Sequence, residues 1–550
     1  MKKLYTTLVI ALLSIHSFAQ APNWAWAKSA GGTGDDHGKS IANDAAGNTF
    51  ITGSFSSPTI TFGTITLTNN NINNTGDIFI AKYDANGNVL WAKSSGGIGN
   101  DSGISISVDA AGNLYITGSY IGSTLTLDAI TLANTNNGYC EIFIAKYDTN
   151  GNILWAKSAG GNYNDYGESI SLDAAGNAYI TGYFQSPSIS FGATTLTNNG
   201  SYDIFIAKYD TNGNMLWAKS SGGIDDDWGQ GIAIDAAGNA YITGYYHSAT
   251  ITFGATTLTN NNIGYYDIII AKYDANGNVI WAKSSGGTNT DQGLCIATDT
   301  AGNTIIAGWF YSPTITFGTI TLTNNGGNDI FIAKYDTNGD VLWAKSSGGT
   351  GWDVGNSIVT DATGNIYMTG RFNSPTITFG TTSLTNISNV YDIFIVKYDS
   401  NGNVIWAKSS GGSGHDYGNS ISKDAAENIY ISGYFQSPTI TFGATTLTNN
   451  GSYDIFIAKL NTTTGIAEME NGETVLLAPN PFTSQLSISF NEAQKNTSIK
   501  LMNTLGECIQ QLTTSNQQLI LDMSSFARGM YFVQITDANK NVVNKKVIKE

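Results

Sequence analysis

The stretch Asp203-Ile204-Phe205-Ile206-Ala207-Lys208-Tyr209-Asp210-Thr211-Asn212-Gly213-Asn214-Met215-Leu216-Trp217-Ala218-Lys219 reads as two strands and a turn. Ile204 to Tyr209 carries β-branched and aromatic side chains on both faces of an extended chain. Asp210 to Asn214 is a hairpin loop, with Gly213 free to take positive φ. Met215 to Lys219 is the return strand. A strand that is apolar on both faces has to be covered on both. One hairpin cannot do that, so this unit needs neighbours.

The neighbours are copies. The Trp of Trp-Ala-Lys recurs at Trp26, Trp91, Trp155, Trp217, Trp281, Trp343 and Trp406, at spacings of 65, 64, 62, 64, 62 and 63 residues. A fixed period of this size signals stacked supersecondary units. It is too long for a two-element solenoid turn and suits a four-stranded propeller blade with one long connection. The third copy shows the parts. Asp165 to Asp173 is a leading turn and first strand, Ala174 to Asn177 a loop, and Ala178 to Phe184 a second strand. Ser188 to Gly192 and Thr194 to Thr197 form an extra hairpin before the third and fourth strands.

The ends of the array complement one another. Trp24 to Lys28 is a fourth strand with no first three before it, and Asp454 to Lys459 is a third strand with no fourth after it. An open stack would need polar capping units, whereas a ring needs the first strand to complete the last blade. Blades opening at Asp36, Asp101, Asp165, Asp227, Asp291, Asp353 and Asp416 make seven. The expected fold is all-β: a seven-bladed β-propeller over residues 20–461, closed by the N-terminal strand.

The flanking segments differ. Residues 1–19 have the form of a signal peptide, with Lys2 and Lys3 before a short apolar run, and cleavage is expected between Ala19 and Gln20. That run is too short to span a bilayer, and no later stretch is long enough. Residues 462–473 read as a polar linker, and residues 474–550 as a separate small Ig-like β-sandwich of alternating strands. The net charge of −16 disfavours nucleic acid and anionic lipid as partners. The three cysteines do not suggest a disulfide framework.

The repeated Asp-x-Gly-x-Ser-Ile, Asp-Ala-x-Gly-Asn-x-Tyr-Ile-Thr-Gly and Asp-Ile-Phe-Ile-Ala-Lys-Tyr-Asp resemble the SBBP repeat family over about residues 24–460. That resemblance implies the propeller and is nearly silent on activity. In the tail, Pro479-Asn480-Pro481, Asn503-Thr504-Leu505-Gly506, Leu521-Asp522-Met523-Ser524, Gly529 to Val533 and Lys545 to Lys549 resemble the type A sorting domain of the type IX secretion system. This resemblance implies the type IX machinery as partner. It also implies passage through the outer membrane of a Gram-negative bacterium, then surface attachment or release.

No Gly-x-Ser-x-Gly elbow, His-Glu-x-x-His or phosphate loop occurs in the sequence. The Asp-x-x-Gly-Asn loops are read as turn formers, with a Ca²⁺ loop as the alternative. Their spacing lacks alternating acidic ligands, and no cofactor is expected. His37 and His415, with Asp36 and Asp416, become neighbours on ring closure and are the one alternative for a metal site. Acids repeated in every copy argue for architecture. The informative positions are those that vary between copies. One lies between Asp and Gly of the leading motif, including Tyr166, Trp228 and Tyr417. The other follows the second strand's Thr-Gly, including Tyr183, Tyr245, Trp309, Arg371 and Tyr434. A four-stranded meander puts both sets on one face, as candidate binding residues for a glycan or protein ligand, with Asp165, Asp227 and Asp416 expected beside them as acceptors for sugar hydroxyls. The expected function is a secreted or surface binding and adhesion platform. The alternatives are a structural surface protein, in which these aromatics pack between loops, or an enzyme acting on polysaccharide or peptide.

Overall fold

The computed structural model describes residues 21–69, 75–134, 138–260, 262–386, 388–461, 469–470, 473–490, 497–503, 507–536 and 542–549. The expected leader, with Ala19 and Gln20, lies outside them. Every regular element among the described residues is a strand. The chain divides into two compact units, Met1–Lys459 and Leu460–Glu550.

The first unit contains seven four-stranded antiparallel sheets. In the third, strands Asp165–Leu172, Ala178–Phe184, Asp203–Tyr209 and Met215–Ser221 follow one another as a meander. The quoted hairpin therefore forms as read. In its loop, Asp210 Oδ1 accepts the amides of Asn212 and Asn214 at 2.9 and 2.8 Å, and Gly213 has φ +80°. The extra hairpin pairs Ser188–Phe191 with Thr194–Thr197. It lays Phe191 5.0 Å from Phe205, covering the sheet's outer part.

The repeated motifs each have a structural job. In Asp-x-Gly-x-Ser-Ile, the serine reaches the next sheet: Ser105 Oγ accepts the amide of Ile170, and Ser169 Oγ that of Ile232. The leading aspartate ties the corner of its own sheet. Asp165, fully buried, accepts the Ser186 hydroxyl at 2.8 Å and the amides of Gly161, Gln185 and Ser186. The second strand's glycine is required by close approach, because a Cβ on Gly182 would stand 1.9 Å from the Tyr166 carbonyl oxygen.

The core lies between sheets. Tyr115, Ile142 and Ile144 of the second sheet pack with Ile170, Ile180 and Phe205 of the third. Covering both faces of every sheet in this way is what the two-sided apolar strands demand. Neighbouring sheets are also clamped: Lys146 Nζ and Trp155 Nε1 both donate to the Thr211 carbonyl of the next sheet's loop. The seventh sheet has the order Trp24–Ala30, Asp454–Leu460, Ile429–Phe435, Asp416–Lys423, so its outer strand comes from the start of the chain. Ile455 and Ile457 of that sheet pack with Ile41, Ile51 and Phe79 of the first.

In the second unit, two four-stranded sheets share one apolar cluster. Val475, Leu477, Leu486 and Ile488 meet Ile499, Leu501, Val533 and Ile535. Part of the expected linker is a strand instead. Met469–Glu470 pairs with the beginning of Glu473–Ala478, since main-chain partners are available to it there.

Candidate binding face

The positions that vary between copies are cross-strand partners. Tyr166 faces Tyr183, Trp228 faces Tyr245, Gln292 faces Trp309, Val354 faces Arg371, and Tyr417 faces Tyr434. Each pair sits one step inside the leading aspartate, at the end of the sheet opposite the Asp173 and Asp210 loops. The register thus brings both sets of candidate residues to one face.

They form two aromatic runs. In one, Tyr166 lies 5.0 Å from Tyr183, which stacks on Trp228 of the next sheet at 4.6 Å and 13°. Trp228 in turn meets Tyr245 at 5.4 Å. In the other, Tyr417 meets Tyr434 at 4.7 Å, and Tyr434 meets His37 of the first sheet at 4.2 Å. The Arg371 guanidinium lies 5.1 Å from the Tyr417 ring. Tyr183 and Tyr245 are buried at 8% and 5% exposure. Tyr166, Trp228, Trp309, Arg371, Tyr417 and Tyr434 are half-buried. The Trp228 indole N–H is buried with no hydrogen-bond partner among the described residues.

The acids expected beside them do something else. Asp165, Asp227 and Asp416 are fully buried and accept from Ser186, Ser248 and Ser437, so their oxygens do not face a ligand. Burial pushes these carboxyls up, to about 7 for Asp227 and about 6 for Asp416. The alternative metal set does not converge either. Asp36 is spent on Ser57 and Gly32. His37 lies against Tyr434, while His415 Nδ1 accepts the Tyr391 amide. Among the described residues no group of three or more His, Cys, Asp or Glu side chains is placed to hold a metal.

A third variable position was passed over in the sequence. The residue between Gly and Ser of the leading motif is Lys39, Ile104, Glu168, Gln230, Leu294, Asn356 or Asn419. It is the residue skipped by the register shift in each first strand, a bulge. First strands touch in sequence, and the seventh touches the first. Lys39 of the first sheet nevertheless feels the charges of Glu168 and Arg371, from the third and sixth sheets. Lys39 and Arg371 also flank one tyrosine pair of the seventh sheet, 5.7 Å from the Tyr434 ring and 5.1 Å from the Tyr417 ring. The same variation between copies that marked the aromatics would have marked this position.

The leading loops also expose apolar groups on this face: Ile98, Ile224 and Trp352 are 77%, 74% and 56% exposed. Beside Tyr163, a groove of about 520 Å³ runs past Gln185, Pro187, Asn198 and Ser201.

Comparison with known proteins adds the following. Residues 477–550 match the family model of a secretion system C-terminal sorting domain, and residues 219–245 that of a β-propeller repeat. An uncharacterised WD repeat-containing protein of Acanthamoeba polyphaga mimivirus is 27% identical, over 79% of this chain and 38% of that protein. The regulatory protein FlaEY of Caulobacter vibrioides is 25% identical, over 50% of this chain and 31% of that protein. The chain thus spans about a third of the length of these curated relatives. Among solved structures, Sqt1 from Chaetomium thermophilum aligns with a TM-score of 0.38 at 8% identity, covering 91% of this chain and 99% of that one.

Proposed function

For a chain that carries a β-propeller repeat and a secretion system C-terminal sorting domain, and is thereby a secreted or cell-surface protein handed to the type IX machinery, we propose a glycan-binding platform. Residues 20–461 are a closed seven-bladed propeller and residues 474–550 an Ig-like sorting domain. Recognition takes place on the propeller face that carries the leading loops.

One observation carries this reading. Side chains that repeat in every copy are consumed by the fold, whereas those that vary gather on that face around the enclosed space. Asp165, Asp227 and Asp416 illustrate the first class. Trp228, Trp309, Arg371 and Tyr434, all half-buried, illustrate the second. Half-exposed aromatic rings stack on the apolar faces of sugars, and seven similar sheets allow several weak contacts at once.

The structural alternative is supported by the tight stack of Tyr183 on Trp228, since packing alone accounts for that pair. A glycan array probed with residues 20–460 separates the two. Binding to a defined glycan class, lost in Trp309→Ala, supports recognition. An array without signal favours the structural reading.

A further inference from the structure

We propose that the mouth of the enclosed space is a subsite for a carboxylated sugar, its carboxylate held between Lys39 and Arg371 and its ring laid against Tyr417 and Tyr434. This deepens the glycan-binding reading above and rests on it.

The geometry is a tilted tyrosine pair with a cation at each end. Tyr417 and Tyr434 lie 4.7 Å apart at 31°. The Arg371 guanidinium is 5.1 Å from the Tyr417 ring and 5.3 Å from Tyr391. The Lys39 ammonium is 5.7 Å from the Tyr434 ring. The cations come from the sixth and first sheets, and the tyrosines between them from the seventh.

Glu168 is the carboxylate whose charge Lys39 feels, but among the described residues it does not close to an ion pair. Among the described residues no ion pair includes Lys39 or Arg371, whereas Lys208 meets Asp173 at 3.4 Å and Lys334 meets Asp299 at 2.9 Å. Arg371 Nε is buried with no hydrogen-bond partner among the described residues. Taking a cation out of water without a counter-ion is unfavourable. Burial holds the Lys39 ammonium below its usual range, against the pull of Glu168 and with a smaller push from Arg371. A bound carboxylate relieves this, and the planar guanidinium suits two-point contact with it.

Neither cation belongs to the repeat. The other copies carry Ile104, Glu168, Gln230, Leu294, Asn356 and Asn419 where the first has Lys39. They carry Ser, Tyr or Trp where the sixth has Arg371. In a chain of net charge −16 these two cations on one mouth are not a general surface property. His37, against Tyr434 at 4.2 Å, is pushed down to about 4 by burial and then by Lys39. At neutral pH it therefore adds an uncharged ring and not a third cation. The carboxyl of Glu168 is raised by burial and hydrogen-bonded with Tyr183.

The test uses the full chain, an alginate hexasaccharide and its carboxyl-reduced counterpart, by titration calorimetry. The acid form is expected to bind at least about tenfold more tightly than the reduced form. Lys39→Gln and Arg371→Gln are each expected to remove most of that difference, so that the acid form binds little more tightly than the reduced form, with the melting temperature unchanged. Either variant alone suffices if the other fails to fold. Equal binding of both forms overturns the carboxylate subsite and leaves the glycan reading standing. Full acid-form affinity in both variants does the same. No binding of either sugar, together with an array without signal, overturns both.

Discussion

The indole N–H of Trp26 and the ammonium of Lys459 donate to one oxygen, the Ala85 carbonyl, each at 3.2 Å. Trp26 lies in the first strand of the chain, Lys459 in the last strand of the array, and Ala85 in a loop of the first sheet. Lys146 and Trp155, which come from one continuous hairpin, hold Thr211 in the same way. The two ends of the array therefore reproduce together the clamp that five hairpins, from Lys82 and Trp91 to Lys334 and Trp343, each make by themselves.

Deleting residues 20–28 removes the outer strand of the seventh sheet and exposes the Asp454–Leu460 edge. The expected result is a loss of several kcal/mol, on the order of the lost ladder bonds and covered apolar area. Concentration-dependent association through the free edge is also expected. Urea melts and light scattering check this, and an unchanged melting temperature would refute it.

The clamp should be separable into its parts. Lys208 is buried against Asp173 at 3.4 Å and 4.6 Å from the Tyr179 ring, and Trp217 donates to Ala275. Lys208→Met leaves the Asp173 carboxylate without its cation and is expected to cost about 3 kcal/mol. Trp217→Phe keeps the ring and loses one hydrogen bond, for about 1 kcal/mol. Chemical denaturation of both variants measures the ratio.

Stability should fall as pH rises from acid toward neutral. Burial pushes Asp165, Asp291, Asp416 and Asp454 up to about 6, and Asp101, Asp227 and Asp392 up to about 7. A carboxyl raised in the fold keeps its proton where the unfolded chain has lost it. Its contribution is complete below the unfolded pKa of about 4 and is lost by the time the pH passes the folded value. Melting temperatures of residues 20–460 are expected to drop between pH 4.5 and about 7.5, and Asp227→Asn should flatten that slope. A rising or flat profile would contradict the burial argument.

The two tryptophans of the candidate binding face should part company. Trp228 is packed between Tyr183 and Tyr245, so Trp228→Ala is expected to cost about 3 kcal/mol as well as any affinity. Trp309 has no ring neighbour recorded among the described residues, and Trp309→Ala is expected to shift the melting temperature little while weakening glycan binding. Paired melts and pull-downs decide it. A large stability loss in Trp309→Ala would assign that ring to packing.

Deleting residues 474–550 should leave the protein in the periplasm, because the sorting domain is what the type IX machinery receives. Protease accessibility on intact cells, compared with fractionation, gives the answer. Normal surface display of the truncated chain would show that the tail is dispensable.

Much of this protein was settled by its amino-acid order. The Trp-Ala-Lys period, the Asp-x-x-Gly-Asn turns, the extra hairpins and the orphan strands at both ends are local patterns. Local patterns specify strands and turns because alternation, positive-φ glycine and side-chain turn bonds act within a few residues. The tail's alternation likewise foretold its two sheets. Tertiary structure alone decided which polar groups remain for function. Asp165 and Asp227 looked like ligand acceptors beside aromatics, but Ser186 and Ser248 reach them from about 20 residues away and burial takes them out of solvent. Lys39 and Arg371 share no motif and lie in different sheets, but Tyr434 and Tyr417 of the seventh sheet bring them to one place, with Lys39 at the bulge of its first strand. Register and packing between distant copies set those outcomes, and no window of adjacent residues contains that information.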